Sequence, residues 1–384
     1  MNSKYYAVLC AGLLAAVSAT ACAPGTATPI VQSATSTPQL AAISTATVKA
    51  EATPTALPPA PTSTPTIVPT VIVTVAPTTS SPDHIPYLDD RSDAAAVVKS
   101  LFNAINLHQY ARAYSYSDDA PQRASFDQFE TGYQDTASVQ VILGPIRSGP
   151  AAGSLYASAP VTLIAKTNSG ATQTFVGCYL LHLNQPALQA VLPFTPWGIQ
   201  SETMTQVDNK ANTADLMSQA CAVYGQPNPV PPAPIVDPND VSASRYIDNH
   251  TGPVEVLRSL FNAINQHEYV RAYSYWQSAA PNLPGLDQFT QGYSTTQVVT
   301  PTFGLVTSDA GAGQFRYIVP VALRASLTDG SQQTFVGCYV LHISNPDIQA
   351  VPPFRPLAIE SANVKQVAND ADTGPLMTQM CGLP

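Results

Sequence analysis

The sequence predicts an α+β protein in which one small, disulfide-closed domain occurs twice. Three observations predict it. Blocks recur far apart: Leu101-Phe102-Asn103-Ala104-Ile105-Asn106 returns as Leu260-Phe261-Asn262-Ala263-Ile264-Asn265, and Gln173-Thr174-Phe175-Val176-Gly177-Cys178-Tyr179 returns as Gln333-Thr334-Phe335-Val336-Gly337-Cys338-Tyr339. Within each copy the apolar period switches from helical spacing to strict alternation, and helices followed by strands imply helices packed on one face of an antiparallel sheet. Cysteines fall at matched places, Cys178 and Cys221 in one copy and Cys338 and Cys381 in the other.

The segments follow in order. Residues 1–22 have the pattern of an export signal, with Lys4 ahead of an apolar run over 5–17 that is short for a membrane span. Ala19-Thr20-Ala21-Cys22 reads as a lipobox that places a lipid on Cys22, or as a plain Ala-x-Ala cleavage site. Residues 23–86 are dense in Thr, Pro, Ala and Ser and are expected to form a disordered stalk, partly polyproline, whose hydroxyls could accept glycans. The two domains occupy 87–225 and 246–384. Between them a Pro-rich linker over 226–245, containing Pro231-Pro232-Ala233-Pro234, is expected to let the copies move relative to each other.

Each copy opens with a helix whose apolar stripe is Val97, Leu101, Phe102 and Ile105, matched by Val256, Leu260, Phe261 and Ile264. Thr251 or Gly252 should cap the second copy's helix, with Pro253 in its first turn. A break over 106–109 precedes a shorter helix bearing Tyr110, Ala113 and Tyr114, and a third carries Phe126, Phe129 and Tyr133, repeated as Leu286, Phe289 and Tyr293. Alternation over 155–165 and 315–325 then predicts half-buried strands, joined in the first copy by strands over 139–143, 172–183 and 197–207. Leu260 stands 159 residues after Leu101 but Cys338 stands 160 after Cys178, which places a one-residue difference most simply near Trp276, where the first copy reads Tyr116-Ser117-Asp118. Of the three formal cysteine pairings, only Cys178–Cys221 with Cys338–Cys381 lets each copy close on itself. Each loop closure should stabilise by ~4 kcal/mol on the chain-entropy account.

The Leu-Phe-Asn-Ala-Ile-Asn opening, the Tyr-rich second helix and Phe-x-x-Gly-Tyr-x-x-Thr, running from Phe129 to Thr136 and from Phe289 to Thr296, lead into a curved meander. Together they resemble the NTF2-like (cystatin-like) superfamily, and by pattern the non-catalytic NTF2-like domains of bacterial envelope lipoproteins and penicillin-binding proteins. The likeness covers 97–221 and 256–381. It implies two cone-shaped helix-on-sheet domains with room for a pocket, and no particular chemistry, because the superfamily hosts isomerases, dehydratases, binding modules and spacers.

A formal net charge of −9 without any basic run excludes nucleic-acid binding, which needs clustered Lys and Arg. It leaves the lipid on Cys22 as the expected membrane contact, and the extracellular face of the cell membrane, or the medium, as the expected location. No phosphate loop, nucleophile elbow or metal-spaced ligand set is present, so no cofactor and no metal are expected. The ionisable residues repeated in both copies are His108 and His267, Arg112 and Arg271, Asp127 and Asp287, and His182 and His342. The histidines are read as solvated or structural, with a catalytic base at His182 and His342 as the sharper alternative. Arg112 with Asp127, and Arg271 with Asp287, are read as ion-pair staples between helices, or else the arginines bind an anion at the cone mouth. Tyr133 and Tyr293 are the candidate pocket-lining residues. The expected function is a non-enzymatic surface lipoprotein that binds an extracellular ligand, glycan or envelope protein, two copies adding avidity if they share a target. The alternatives are a small-molecule isomerase or dehydratase working in the cone, and a spacer in an envelope assembly.

Overall fold

The computed structural model describes residues 85–119, 123–222, 241 and 245–382. The export signal, Cys22, most of the stalk and most of the linker lie outside these residues. In the first copy the elements are α1 (Ala94–Asn106), α2 (Tyr110–Tyr114), α3 (Phe126–Tyr133), β1 (Thr136–Leu143), β2 (Arg147–Ala151), β3 (Ser154–Thr167), β4 (Thr172–Asn184), β5 (Gly198–Val207) and α4 (Thr213–Ala220). The second copy repeats them as α5 (Pro253–Asn265), α6 (Tyr269–Ser274), α7 (Leu286–Gly292), β6 (Thr296–Phe303), β7 (Thr307–Gly311), β8 (Gln314–Leu327), β9 (Gln332–Ser344), β10 (Ala358–Val367) and α8 (Thr373–Met380). Each sheet is antiparallel, ordered β1-β3-β4-β5 and β6-β8-β9-β10, with β2 and β7 pairing the near ends of β3 and β8. The sequence reading missed β2, β7 and the C-terminal helices α4 and α8, which are short and lack a strong apolar period.

Hydrophobic burial fixes the layers. Val97, Val98, Leu101 and Ile105 of α1 are buried against Ala157, Val161, Tyr179 and Leu181 of the sheet, and the second copy repeats this with Val256, Leu257, Leu260 and Ile264. Each such aliphatic side chain contributes ~1.5–3 kcal/mol by leaving water. The opposite face of β3 and β4 is covered by α4, and the Cys178–Cys221 bridge ties its end to β4 with a Cα separation of 5.2 Å. Cys338–Cys381 does the same in the second copy at 5.5 Å, so both pairings agree with the sequence reading. Gly252 caps α5 without a side-chain bond, and Thr251 serves elsewhere. The positions Ser117 and Trp276 occupy equivalent bridges to Ile199 and Ile359, still 159 apart, whereas Phe126 and Leu286, which open α3 and α7, are 160 apart. The extra residue of the second copy therefore lies after Gln277, beyond Trp276.

The expectation of independently moving copies is corrected by the segments that precede α1 and α5. They run antiparallel to each other: Arg91 N donates to Asp248 O at 2.7 Å and His250 N donates to Asp89 O at 2.6 Å. Asp89 N donates to Thr251 Oγ1 and Asp248 N to Ser92 Oγ, each at 3.0 Å, a reciprocal exchange across a local two-fold axis. Gln109 adds a bond to Asp347 of the second copy at 2.7 Å. The linker boundary is also corrected, since Val241 is 3% exposed within the second copy's core and its carbonyl accepts from Asn265.

Candidate functional site

Between the helices and the sheet of the second copy lies an open cavity of about 440 Å³. Phe261, Trp276, Phe289, Tyr293, Phe335 and Tyr339 supply its rings, and Leu283, Leu323 and Val364 its aliphatic wall. Its polar groups are amides and hydroxyls, among them Asn282, Gln288, Thr296 and Gln333, and among the described residues no Asp, Glu, Lys, Arg or His lines it. Tyr293 stands at the end of α7 with its ring 5.2 Å from Phe289 and stacked 6.5 Å from Tyr269. Burial pushes its hydroxyl up to about 12, so it stays protonated at neutral pH. Trp276 lies 6.1 Å from Tyr339, and its indole nitrogen is buried without a hydrogen-bond partner among the described residues.

The first copy's cavity, about 380 Å³, overlaps the equivalent place at Ser117, Phe129, Tyr133, Tyr179 and Glu202 and is lined differently. Tyr114, Phe129, Tyr133 and Tyr179 give rings, while Asp118, Arg123 and Glu202 give charge. Tyr133, like Tyr293, therefore lines a cavity. The register of β5 on β4 sets Glu202 opposite Tyr179, and that of β10 on β9 sets Ala362 opposite Tyr339, so a carboxylate in one copy is a methyl group in the other. Likewise Ser117 and Asp118 stand where the second copy has Trp276 and Gln277. Glu202 reaches solvent at the mouth, yet the surrounding protein removes enough water to raise its pKa. Burial and then Glu202 raise that of Tyr133 far above its ordinary value.

The repeated histidines sit outside both of these cavities. His182 Nδ1 is 3.4 Å from Asp118 Oδ2, and its ring is 4.9 Å from Tyr156. Asp118 reaches it because Gly198 has no side chain: a Cβ there would come within 1.8 Å of Asp118 Oδ1. Burial raises the Asp118 pKa, opposed by His182. His342 meets amides instead, with Gln277 Nε2 at 2.9 Å from Nδ1 and Gln314 Oε1 at 2.6 Å from Nε2. That pattern suits a neutral ring protonated on Nε2, and burial together with Arg316 lowers its pKa. His182 opens into a cleft of about 580 Å³ walled by Trp197 and, from the second copy, Phe354. Asp118 escaped the sequence reading because requiring repetition in both copies discarded it. His108 and His267 are exposed in the turns after α1 and α5, at φ values of 55° and 59°.

Arg112 and Arg271 neither line these two cavities nor meet Asp127 or Asp287, which are exposed in the first turns of α3 and α7. Both readings of these arginines are corrected. They are fully buried and point toward the crossing segments, away from α3 and α7. Arg112 donates to the Leu88 carbonyl and to Asn103 Oδ1, under the ring of Tyr87. Arg271 donates to the Ile247 carbonyl at 2.5 Å, to Asn262 Oδ1 at 3.0 Å and to Glu268 at 2.6 Å. They anchor the segments whose acids the tyrosines bind, with Tyr116 donating to Asp89 at 2.7 Å and Tyr275 to Asp248 at 3.0 Å. The signal for this interlock was present as Tyr-x-Asp-x-x-Ser/Thr, at Tyr87 to Ser92 and Tyr246 to Thr251.

Among the described residues no three His, Cys, Asp or Glu converge as metal ligands would, and no helix is long and apolar enough to cross a membrane. Compared with family models, curated proteins and solved structures, the chain matches none. What can be stated of its class is an α+β protein with two antiparallel sheets and two disulfides, a chemistry at home in an oxidising extracellular setting.

Proposed function

We propose that this is a non-enzymatic binding protein of two NTF2-like modules, displayed outside the cell on a lipid carried by Cys22, and that its second cone takes an uncharged, largely apolar ligand. The observation that carries this reading is the lining of that cone, where six aromatic rings surround open space and, among the described residues, the only ionisable groups are two tyrosines, Tyr293 and Tyr339, that burial holds protonated. Acid–base catalysis needs a group whose pKa lies near the working pH. Rings and aliphatic walls with a few amides are what an apolar ligand needs, and a volume above ~300 Å³ is the usual scale of such sites. Because the two cones differ in charge, the copies serve different ligands, and avidity for one target is not part of this reading.

The test uses the full chain and the uncharged dye N-phenylnaphthylamine, whose emission rises in apolar surroundings. Saturable binding that Phe335→Ala weakens is expected. Absence of saturation, or turnover of a small molecule that Tyr293→Phe abolishes, would overturn the reading. One observation favours a second reading, an isomerase or dehydratase type of enzyme: Asp118 lines the first cone and also holds His182. Turnover lost in His182→Ala would select it.

A further inference from the structure

The geometry points to the first cone as a site for a small organic cation, an alkyl- or tetraalkylammonium group, with Glu202 as its counter-charge. Arg123 holds Asp119 at 2.7 Å and Asp118 faces His182 at 3.4 Å, whereas Glu202 makes no ion pair among the described residues. Glu202 is therefore a carboxylate without an opposite charge among the described residues, standing in one cavity with Phe129, Tyr133 and Tyr179, and Asp118, whose ion partner is a histidine, adds to the negative character of the lining. Phe129 and Tyr133 form an angled wall, 5.1 Å apart at 58°, and Tyr179 lies across from Glu202 in the strand register. Ring faces carry the negative end of the aromatic quadrupole and attract cations, most strongly where water is excluded. The protein itself uses this attraction at the same mouth, since the Arg123 guanidinium lies 3.5 Å from the centre of the Tyr114 ring.

Other ligand classes fit less well. An anion would meet Glu202 and Asp118, and an uncharged ligand would cover Glu202 without compensating its lost water. Nor does the fold require a carboxylate here, because Ala362 holds the equivalent place on an equivalent strand in the second copy. The proposal does not rest on the reading of the second cone.

The test is calorimetric titration of the full chain with choline and, in parallel, with its uncharged isostere in which carbon replaces nitrogen. Saturable choline binding is expected, with no binding of the isostere. Glu202→Gln, isosteric and at a solvent-reaching position, should weaken choline by about fivefold or more while the circular dichroism spectrum is unchanged. Glu202→Asp, which keeps the charge, should retain binding, so that a general loss of fold is distinguished from loss of the counter-charge. No saturable binding, equal binding of the isostere, or an unchanged affinity in Glu202→Gln would overturn the proposal. Phosphatidylcholine vesicles form a further arm. Co-sedimentation that Glu202→Gln abolishes places the ammonium on a lipid headgroup, and its absence beside choline binding places it on a free solute; both keep the cation in the cone.

Discussion

Replacing Asp248 by Asn should loosen the junction between the two copies and change how the protein responds to pH. Asp248 is 3% exposed and accepts hydrogen bonds from Tyr246 at 2.9 Å and Tyr275 at 3.0 Å. Its Oδ1 lies 3.3 Å from His250 Nε2, while His250 Nδ1 is 2.8 Å from the Leu357 carbonyl, so the ring donates at both nitrogens when protonated. Burial alone would raise the pKa of Asp248, but His250, Arg91 and Arg271 outweigh it and bring the value from 3.8 down to about 2. Burial alone would lower that of His250, but Asp248 and, more weakly, Asp89 and the Leu357 carbonyl outweigh it and raise the value above 6.5. The signs follow from linkage. The Asp248 contribution is present above the unfolded value of 3.8 and is lost as pH falls toward 2. The His250 contribution is complete below 6.5 and is lost as pH rises through the higher folded value. Both act together between 3.8 and 6.5.

The fall from 3.8 to about 2 corresponds to about 2 kcal/mol. Removing one member of a buried pair and leaving the other charged costs about 3–5 kcal/mol. At about 2 °C or more per kcal/mol for a unit of this size, Asp248→Asn should lower the midpoint at pH near 6 by about 5 °C or more. Thermal melts of both proteins across acid to mildly alkaline pH check this. The wild type should lose stability on the alkaline side as His250 gives up its proton, and the variant should be flatter there. A variant that melts within about 1 °C of the wild type near pH 6, or that keeps the same alkaline slope, would refute the reasoning.

Two further substitutions probe the scaffold. Gly337→Ala would place a Cβ 2.0 Å from the Asn363 carbonyl oxygen and 2.6 Å from Val364 Cα, main-chain atoms that cannot step aside without distorting β10. A loss of about 1–3 kcal/mol or more is expected in urea unfolding, and a wild-type midpoint would show that the strands tolerate the change. Arg271→Met keeps the apolar stem but strands the Glu268 carboxylate and leaves the Ile247 carbonyl with only the Tyr275 hydroxyl as donor, for an expected loss of about 3–5 kcal/mol by the same measurement. A loss under about 1 kcal/mol would mean that water replaces the guanidinium.

Much of the scaffold could be read directly from the chain. The stripes Val97, Leu101, Ile105 and Val256, Leu260, Ile264 gave the core-facing helices, and alternation through β3 and β8 gave the long strands. The cysteine spacing gave both bridges. Tyr133 and Tyr293 were legible because aromatic rings at helical spacing beside a sheet have few places to go. Glu202 and Asp118 were not, since each differs between the copies and a search for repeated residues passes over them. Arg112 and Arg271 were found and misplaced, because helical spacing reports which face a residue occupies but not which neighbouring segment covers that face.

The amino-acid order by itself determined that one unit is present twice, that helices precede a sheet in each, and which sulfurs join, because periodicity and loop closure are local or pairwise properties of the chain. Only the tertiary structure decided that Asp89 and Asp248 cross to the opposite copy, that Val241 belongs to a core, and that one cavity carries a carboxylate where the other carries a methyl group. Those outcomes depend on which distant surfaces meet, and burial and charge then fix what each can bind.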